Sequence, residues 1–361
     1  MNEVKSRLMP DEVQRSSAPK IGVIGGDGIG PEVVAEALKI VEALGVKYER
    51  VDYSLGAHAY LKTGDVLDDS VLDELRQLDA IVLGAVGPPV GSTEVPPGLL
   101  ERGLLLKMRF ELDLYVNLRP FNSVPNAPVQ GIDFAVVREN TEGTYAGEGG
   151  FLRKGTKHEV ATQGSVNTRH GVERCIRFAF NLANSRKAKH LTLVHKTNVL
   201  TFAGDLWQRT FDEVASEFPE VTRAYNHVDA TCIYMVEDPK RYDVIVTDNL
   251  FGDIITDLAG SLSGGIGLAA SANLNPDRTG PSLFEPVHGA AHDIVGTGKA
   301  NPLAAIRSIG MMLDYLGFTA EANKVSAEVI RFANEIMEKN TKGSSGMTTQ
   351  QIGDAIAERI I

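Results

Sequence analysis

Short apolar runs alternate with amphipathic segments along almost the whole chain. Runs such as Lys20–Ile24 and His190–Val194 are typical of strands that are buried on both faces. Between such runs, apolar residues recur at helical spacing over Thr168–Ser185, Ala203–Phe218 and Leu303–Leu316. This alternation predicts an α/β fold with a mostly parallel sheet and helices on both faces. Further strands are predicted at Ala80–Leu83, Asp133–Val137 and Asp243–Thr247.

Two segments interrupt this rhythm. Gly149–Ser165 is polar and rich in glycine, which leaves a protruding β-arm and a mobile loop as alternatives. Gly84–Gly98 is rich in glycine and proline and is predicted to be a long loop. Loops of this length are often functional.

Length and composition narrow the class of protein. The 361 residues suggest about two domains, and no apolar run reaches the ~20 residues that span a bilayer. Residues 1–19 are polar, lack the apolar core of a secretory signal, and are predicted to form a flexible tail. Cys175 and Cys232 lack metal-site spacing and indicate free thiols in the cytoplasm. The net charge of −11 argues against a nucleic-acid partner, and an anionic substrate would require a local cluster of arginines.

A tight glycine-rich turn follows the first predicted strand, in Gly26-Asp-Gly28-Ile-Gly30. Its spacing differs from that of a dinucleotide-binding motif, since Pro31 stands where the last glycine should be. The turn therefore favours a close approach of two backbone segments, with a Rossmann site as the alternative.

Three arginines are candidates for binding a substrate with several carboxylates. Arg119 and Arg138 are predicted to end strands, and Arg109 precedes them in a helical segment. Guanidinium groups match carboxylates with two parallel hydrogen bonds. Pairing with acidic neighbours such as Glu111 or Glu139 is the structural alternative.

Two carboxylates lie four residues apart in a predicted helix, at Asp253 and Asp257. They share one helix face and repel each other unless a cation neutralises them, which suggests Mg²⁺ or Mn²⁺. Asp229 is a candidate third ligand. An acidic first turn that favours the helix dipole is the alternative explanation.

Two residues are candidates for proton transfer. Lys196 follows a predicted strand, and Tyr145 lies in a turn seven residues after Arg138. Either residue acts as an acid or base if burial and neighbours tune its pKa, although each has a structural alternative.

The segment from Phe284 to Pro302 is rich in glycine and polar residues and ends where a helix begins. Such a loop suits an adenosine group, and Asp293 is placed to accept both ribose hydroxyls. Because this carboxylate would repel a 2′-phosphate, the segment favours NAD over NADP.

These segments together resemble the β-decarboxylating dehydrogenases, which act on isopropylmalate, isocitrate, homoisocitrate, tartrate or D-malate. The likeness runs from about Lys20 to the C-terminus. It depends on six motifs in order: Gly26-Asp-Gly-Ile-Gly-Pro-Glu32, Asn117-Leu-Arg-Pro120, Val137-Arg-Glu-Asn-Thr-Glu-Gly143, His195-Lys-Thr-Asn198, Asn249-Leu-Phe-Gly-Asp253 and Glu285-Pro-Val-His-Gly289.

The resemblance implies a role for each candidate. Arg109, Arg119 and Arg138 would hold the carboxylates of a malate group, and Lys196 and Tyr145 would transfer protons. Asp253 and Asp257 would bind Mg²⁺ or Mn²⁺ together with Asp229 of a second subunit, and K⁺ remains open as a further ion. The residues implied at the cofactor are Asn198, Glu285, His288, Gly289, Ala290, Ala291, Asp293, Ile294 and Asn301.

The resemblance also implies a fold that is not a Rossmann fold, with two discontinuous α/β domains. Residues 20–116 and 266–361 would build the cofactor-side domain, and residues 117–265 the second domain. The second domain would carry the interface of a homodimer and the arm at residues 149–165. Active sites would be shared, because Lys196 and Asp229 would reach the partner's site.

The choice of substrate depends on the residues that precede Arg109. Leu105 and Leu106, with Val199, predict an apolar wall that suits an isopropyl group and penalises a third carboxylate. We therefore expect NAD-dependent oxidation and decarboxylation of 3-isopropylmalate in leucine biosynthesis. Asn140 and the stretch Ser271–Pro276 look more like the D-malate and tartrate branch, which remains the alternative. Isocitrate and homoisocitrate are less favoured, as is a catalytically silent regulatory subunit.

Overall fold

The computed structural model describes residues 18–125, 127–339 and 346–361. Residues 1–17, most of the predicted N-terminal tail, lie outside the described residues. The strands are β1 (Lys20–Gly26), β2 (Glu49–Asp52), β3 (Ala80–Ala85), β4 (Val116–Asn122), β5 (Asp133–Glu139), β6 (Gly149–Leu152), β7 (Val160–Gln163), β8 (His190–His195), β9 (Thr222–His227), β10 (Val244–Thr247), β11 (Ala270–Leu274) and β12 (Ser282–Pro286).

Eleven α-helices are found in the described part of the chain. They are α1 (Gly30–Ala43), α2 (Ala57–Thr63), α3 (Asp69–Leu75), α4 (Lys107–Glu111), α5 (Arg169–Ser185), α6 (Thr201–Ala215), α7 (Val228–Glu237), α8 (Asn249–Ser263), α9 (Leu303–Tyr315), α10 (Thr319–Lys339) and α11 (Thr349–Ile360). A π-helical turn, Glu101–Leu106, runs directly into α4. None of the helices in the described ranges is long and apolar enough to cross a membrane.

Ten strands form one sheet in the order β2-β1-β3-β12-β11-β4-β5-β10-β8-β9. Strands β2, β1, β3 and β12 are parallel to one another, as are β5, β10, β8 and β9. Between these two blocks, β11 and β4 pair antiparallel with each other and with their outer neighbours. The expected mostly parallel α/β sheet is confirmed, and the two blocks run in opposite directions.

Helices cover both faces, which explains why the central strands are apolar on both sides. The largest cluster of buried side chains packs α1, α5, α9 and α10 onto the sheet. A smaller cluster packs α8 and β10 against β5. The sheet is continuous through β11 and β4, and the division into two domains near residues 116 and 266 stays a prediction.

The structure decides three local predictions. Gly149–Ser165 contains a two-stranded antiparallel hairpin, β6 and β7, which resolves the alternatives in favour of an arm. Arg119 does not end a strand, because β4 continues through Pro120 to Asn122. The turn at Gly26–Gly30 does bring backbones together, since a Cβ on Gly28 would lie 1.9 Å from the carbonyl oxygen of Ala290.

Candidate active site

A cluster of charged side chains lies on one face of the central strands. Arg119 of β4 and Arg138 of β5 are buried, and both reach Asp253 on α8. Arg138 forms an ion pair with Asp253 through Nη1, and Nη2 of Arg119 lies 3.6 Å from the same carboxylate. Nη1 of Arg119 lies 3.8 Å from Asp257, one helical turn further along. The structure therefore brings two predicted arginines and two predicted aspartates together.

Arg109 of α4 approaches this cluster from the side of β12. Its Nη2 lies 3.9 Å from Oε1 of Glu285, which belongs to the predicted cofactor set. Burial and the positive charge of Arg138 lower the pKa of Arg109. The same two causes, in the same order, lower the pKa of Arg119 to about 10. Three guanidinium groups thus share a buried region with Asp253, Asp257 and Glu285, and this concentration of positive charge favours an anionic ligand.

Tyr145 is joined directly to the cluster. Its hydroxyl donates a hydrogen bond of 2.8 Å to Oδ2 of Asp253, and the Arg138 guanidinium lies 5.2 Å from its ring centre. Burial raises the pKa of the Tyr145 hydroxyl, so it is a neutral donor at neutral pH. Burial also acts to raise the pKa of Asp253, but Arg138, Tyr145 and the other arginines outweigh it and hold that pKa low.

The orientation of Arg119 depends on buried polar residues below it. Its Nε donates to Oδ1 of Asn117 at 2.8 Å, and Nη1 donates to the Thr256 hydroxyl at 2.6 Å. Asn117 in turn donates to Ser271 and Asn273 on β11. Sequence reasoning missed this network. The sequence feature that corresponds to this network is the run of serine and asparagine at Ser271–Pro276, which by itself resembles the D-malate and tartrate branch.

The predicted cofactor loop borders a cavity of about 1070 Å³. It lies between this loop and the glycine-rich loops that follow β1 and β3, the latter within Gly84–Gly98. His292 ties the two sides together, because its Nε2 lies 2.7 Å from the carbonyl oxygen of Gly87. Asp27 accepts hydrogen bonds from the backbone at Ala57 and Gly87. The predicted cofactor residues that line the cavity are Gly289, Ala290, Ala291 and Asp293.

A second pair of predicted residues lies together elsewhere. Nζ of Lys196, just after β8, donates to Oδ1 of Asp229 on α7 at 2.8 Å, and this bond lowers the pKa of Asp229. Within the described ranges, no hydrogen bond or ion pair joins this pair to Asp253. No three acidic, histidine or cysteine side chains in those ranges lie close enough to hold a metal. Within one chain, the predicted site residues therefore fall into two separate groups.

Comparison with known proteins identifies the family of the chain. A family model described as isocitrate/isopropylmalate dehydrogenase matches residues 20–356. The chain belongs to the isocitrate/isopropylmalate dehydrogenase family. A 3-isopropylmalate dehydrogenase from Nocardia farcinica is 58% identical over 94% of this chain and 100% of its own length. One from Corynebacterium glutamicum is also 58% identical, over 94% of this chain and 99% of its own.

Solved structures of this family have the same fold. An isocitrate dehydrogenase from Methylococcus capsulatus superimposes with a TM-score of 0.85 at 38% identity, covering 95% of this chain and 99% of that chain. A β-decarboxylating dehydrogenase from Thermococcus kodakarensis gives a TM-score of 0.77 at 35% identity, covering 95% and 96%. The expected fold class, including its departure from the Rossmann fold, is thereby confirmed.

Several predicted residues of this family member lie outside the cluster. Asn198 and Val199 are exposed after β8, and Val199 is 65% exposed. Leu105 is half-buried in the π-helical turn and packs against the apolar cluster around Leu104. His288 is half-buried beside the loop, and burial lowers its pKa. The contact of these residues with a ligand stays a prediction.

Proposed function

We propose that this protein catalyses the NAD-dependent oxidative decarboxylation of (2R,3S)-3-isopropylmalate to 4-methyl-2-oxopentanoate and CO₂, a step of leucine biosynthesis. The observation that carries the proposal is the cluster of Arg119, Arg138, Tyr145 and Asp253. Relatives named 3-isopropylmalate dehydrogenase, at 58% identity over nearly their whole length, support this substrate. Two free cysteines, Cys175 and Cys232, fit a reducing cytoplasm.

The three arginines bind the two carboxylates of the malate group. Arg119 and Arg138 are fixed by hydrogen bonds to Asn117 and Asn249, so little side-chain entropy is lost when the substrate binds. The isopropyl group is held by Leu105, Leu106 and Val199, the last from a second copy of the chain. A third carboxylate at this wall would lose its hydration without gaining a partner.

The aspartates fit a divalent metal. The side chain of Asp257 is 63% exposed, and among the described residues its nearest ion-pair partner is Arg119 at 3.8 Å, so its oxygens are available. Asp253 and Asp257 supply hard oxygen ligands from one helix face, and Asp229 of the partner subunit supplies a third. When bound, the metal polarises the substrate oxygen and NAD accepts the hydride.

Two side chains of the protein move the protons. Lys196 takes the proton of the substrate hydroxyl while hydride leaves the same carbon. The resulting 3-carboxy-2-oxo acid loses CO₂, since the neighbouring carbonyl accepts the electrons. Tyr145 then donates its proton to the carbon that lost CO₂. Its neutral state, favoured by burial, suits this donation.

The loop from His288 to Ile294 and the cavity beside it would hold the cofactor. Asp293 is exposed there and would accept both ribose hydroxyls, which favours NAD because a 2′-phosphate would meet a negative charge. Glu285 of the predicted cofactor set has its Oε1 3.9 Å from Nη2 of Arg109. Asn198 of the partner subunit and Asn301 complete the set.

The active unit is a homodimer with shared sites. Exposed apolar side chains form a patch on α7 and α8, which pack together: Ile233, Val236, Leu250 and Ile254. Phe151 and Leu152 on the hairpin arm are also exposed. Such patches are typical of subunit interfaces. A dimer through this patch brings the Lys196–Asp229 pair of one subunit to the arginine cluster of the other.

The test is formation of NADH with 3-isopropylmalate, D-malate, tartrate and isocitrate, each with Mn²⁺ and K⁺, and with NADP as a second cofactor. We expect the highest kcat/KM for 3-isopropylmalate with NAD, by at least about tenfold over the acids that lack an isopropyl group. D-malate or tartrate as the best substrate would contradict the proposal. D-malate and tartrate are the alternative substrates because Asn140 and Asn273 resemble residues of the D-malate and tartrate branch.

A further inference from the structure

A second cavity lies on the face of the central strands opposite to Arg119. It encloses about 160 Å³ between β4, β5, α9, α10 and the end of α5. Successive side chains of a strand point to opposite faces, so Leu118, Pro120 and Asn122 line this cavity and Arg119 faces the active site. Its apolar walls include the side chains of Leu182, Met311, Ala322 and Ile330.

One cationic side chain of this cavity lacks a counter-charge. Arg307 of α9 donates to the carbonyl oxygen of Leu268 at 3.0 Å and to Oδ1 of Asn122 at 3.2 Å, and both acceptors are neutral. In the described parts of the chain, no carboxylate lies within ion-pair distance of Arg307. Burial lowers the pKa of its guanidinium to about 10. A desolvated cation without an anion is costly, and a bound anion would relieve that cost.

The other charged groups around the cavity are already engaged. Nε of Arg186 lies 2.5 Å from Asp243, and its Nη2 lies 3.2 Å from Asp133. Asp314 also lines the cavity but has interactions of its own and makes no ion pair with Arg307. One unmatched positive charge therefore faces apolar walls, while Asp133 and Asp314 disfavour a ligand with a second negative charge.

We propose that this cavity binds a small aliphatic monocarboxylate, with its carboxylate on Arg307 and its alkyl chain against the apolar walls. A guanidinium has five N–H donors, and only two bonds to neutral oxygens are made here. The remaining donors allow two-point contact with a carboxylate. This site differs in chemistry from the active site, where three arginines select a diacid, and it does not depend on the proposed function.

The test uses 4-methylpentanoate as a probe, titrated into the full-length protein by calorimetry. Arg119→Gln is the background, because it weakens carboxylate binding in the active site and leaves the second cavity intact. We expect this variant to bind the probe and the double variant Arg119→Gln/Arg307→Gln to bind at least ten times more weakly. Ser326→Trp, at an exposed position of the cavity wall, should block binding without removing the charge.

Two further ligands test the chemical class. Succinate and inorganic phosphate should each bind the Arg119→Gln protein at least ten times more weakly than the probe. No probe binding in this background would overturn the proposal, as would equal binding after Arg307→Gln. Tight binding of phosphate would refute the apolar part of the site. If Arg307 served only to clamp Leu268 to Asn122, Arg307→Gln would lower the melting temperature and leave probe binding unchanged.

Discussion

Individual side chains in the active-site cluster divide into those that hold charge and those that move protons. Arg119 and Arg138 are oriented by hydrogen bonds to Asn117 and Asn249, and the Tyr145 hydroxyl is directed at Asp253. Lys196 is held by Asp229 in a separate part of the chain. The residue types were predictable from motif and spacing, but their directions depend on partners far away in sequence.

Lys196 and Tyr145 are expected to act in different halves of the reaction. Lys196→Met should abolish hydride transfer, because it removes the proposed base for the substrate hydroxyl. Tyr145→Phe should leave the first hydride transfer near normal and slow turnover by about 10²–10⁴-fold, as expected for a lost general acid. Single-turnover measurement of NADH separates them, since Tyr145→Phe gives a burst of NADH and Lys196→Met gives none. A burst in Lys196→Met would remove that lysine from the mechanism.

His195, directly before Lys196, makes stability depend on pH. It is fully buried against Trp207 and Phe251, and burial lowers its pKa to about 4. Its Nε2 lies 3.4 Å from Asp248, without the geometry of a hydrogen bond. The unfolded chain protonates this imidazole below its ordinary pKa of 6.5, whereas the folded chain keeps it neutral. Stability is therefore lost as the pH falls from about 6.5 towards 4.

His195→Phe should flatten this dependence. Between pH 7 and pH 5 the wild type should lose roughly 2 kcal/mol more unfolding free energy than the variant. Urea unfolding at both pH values measures the difference. Asp248 also contributes to the pH dependence of the unfolding free energy, but it is present in both proteins, so its contribution largely cancels in the difference between them. An equal loss in the two proteins would mean that His195 is protonated in the folded state.

At the scale of elements, long periodic helices were predictable and short or irregular ones were not. Thr168 was expected to begin a helix, and its side chain caps α5 by accepting a bond from the backbone of Gly171. The π-helical turn before α4 could not be predicted from the sequence, because three consecutive leucines, Leu104–Leu106, are compatible with more than one helical period. The acidic-first-turn explanation of Asp253 fails, since α8 begins at Asn249 and Asp248 is its cap.

The exposed face of α7 and α8 is expected to be the subunit interface. Ile233→Glu places a charge in that face and should give a monomer by sedimentation velocity. Activity should fall more than about 100-fold, because Lys196 no longer reaches the partner's site. Leu61→Glu, a similar change at a 49% exposed leucine on α2, is the control and should stay dimeric. A fully active Ile233→Glu monomer would exclude shared sites.

Mixing two inactive variants tests the sharing directly. Lys196→Met and Arg119→Gln damage opposite halves of the proposed site, so a mixed dimer contains one intact site. Random reassociation of equal amounts should restore about a quarter of wild-type activity, because half of the dimers are mixed and each has one working site. Activity no higher than that of the separate variants, after exchange of subunits is verified, would place both residues in one subunit's site.

The whole molecule is organised by the junction of its two strand blocks. Sequence patterns predicted the alternation of strands and helices, but strand order depends on pairing between residues more than 150 positions apart. β11 escaped prediction because serine and asparagine are poor strand formers. Hydrogen bonds among its polar side chains and their neighbours offset the cost of burying them. Asn273, for example, accepts hydrogen bonds from both Asn117 and Asn140. The junction therefore joins the blocks and supports the site at once.

Asn273→Ala should affect both stability and substrate binding. Asn273 accepts bonds of 2.9 Å from Asn117 and from Asn140, and it donates to Glu285 at 2.7 Å. Its loss leaves buried partners unsatisfied and should lower the unfolding free energy by about 3 kcal/mol. The KM for 3-isopropylmalate should rise, since Asn117 orients Arg119. Asn275→Ala, which breaks bonds to Leu112 and Thr279 instead, should lower stability and leave KM unchanged. Equal KM in the two variants would separate the junction from substrate binding.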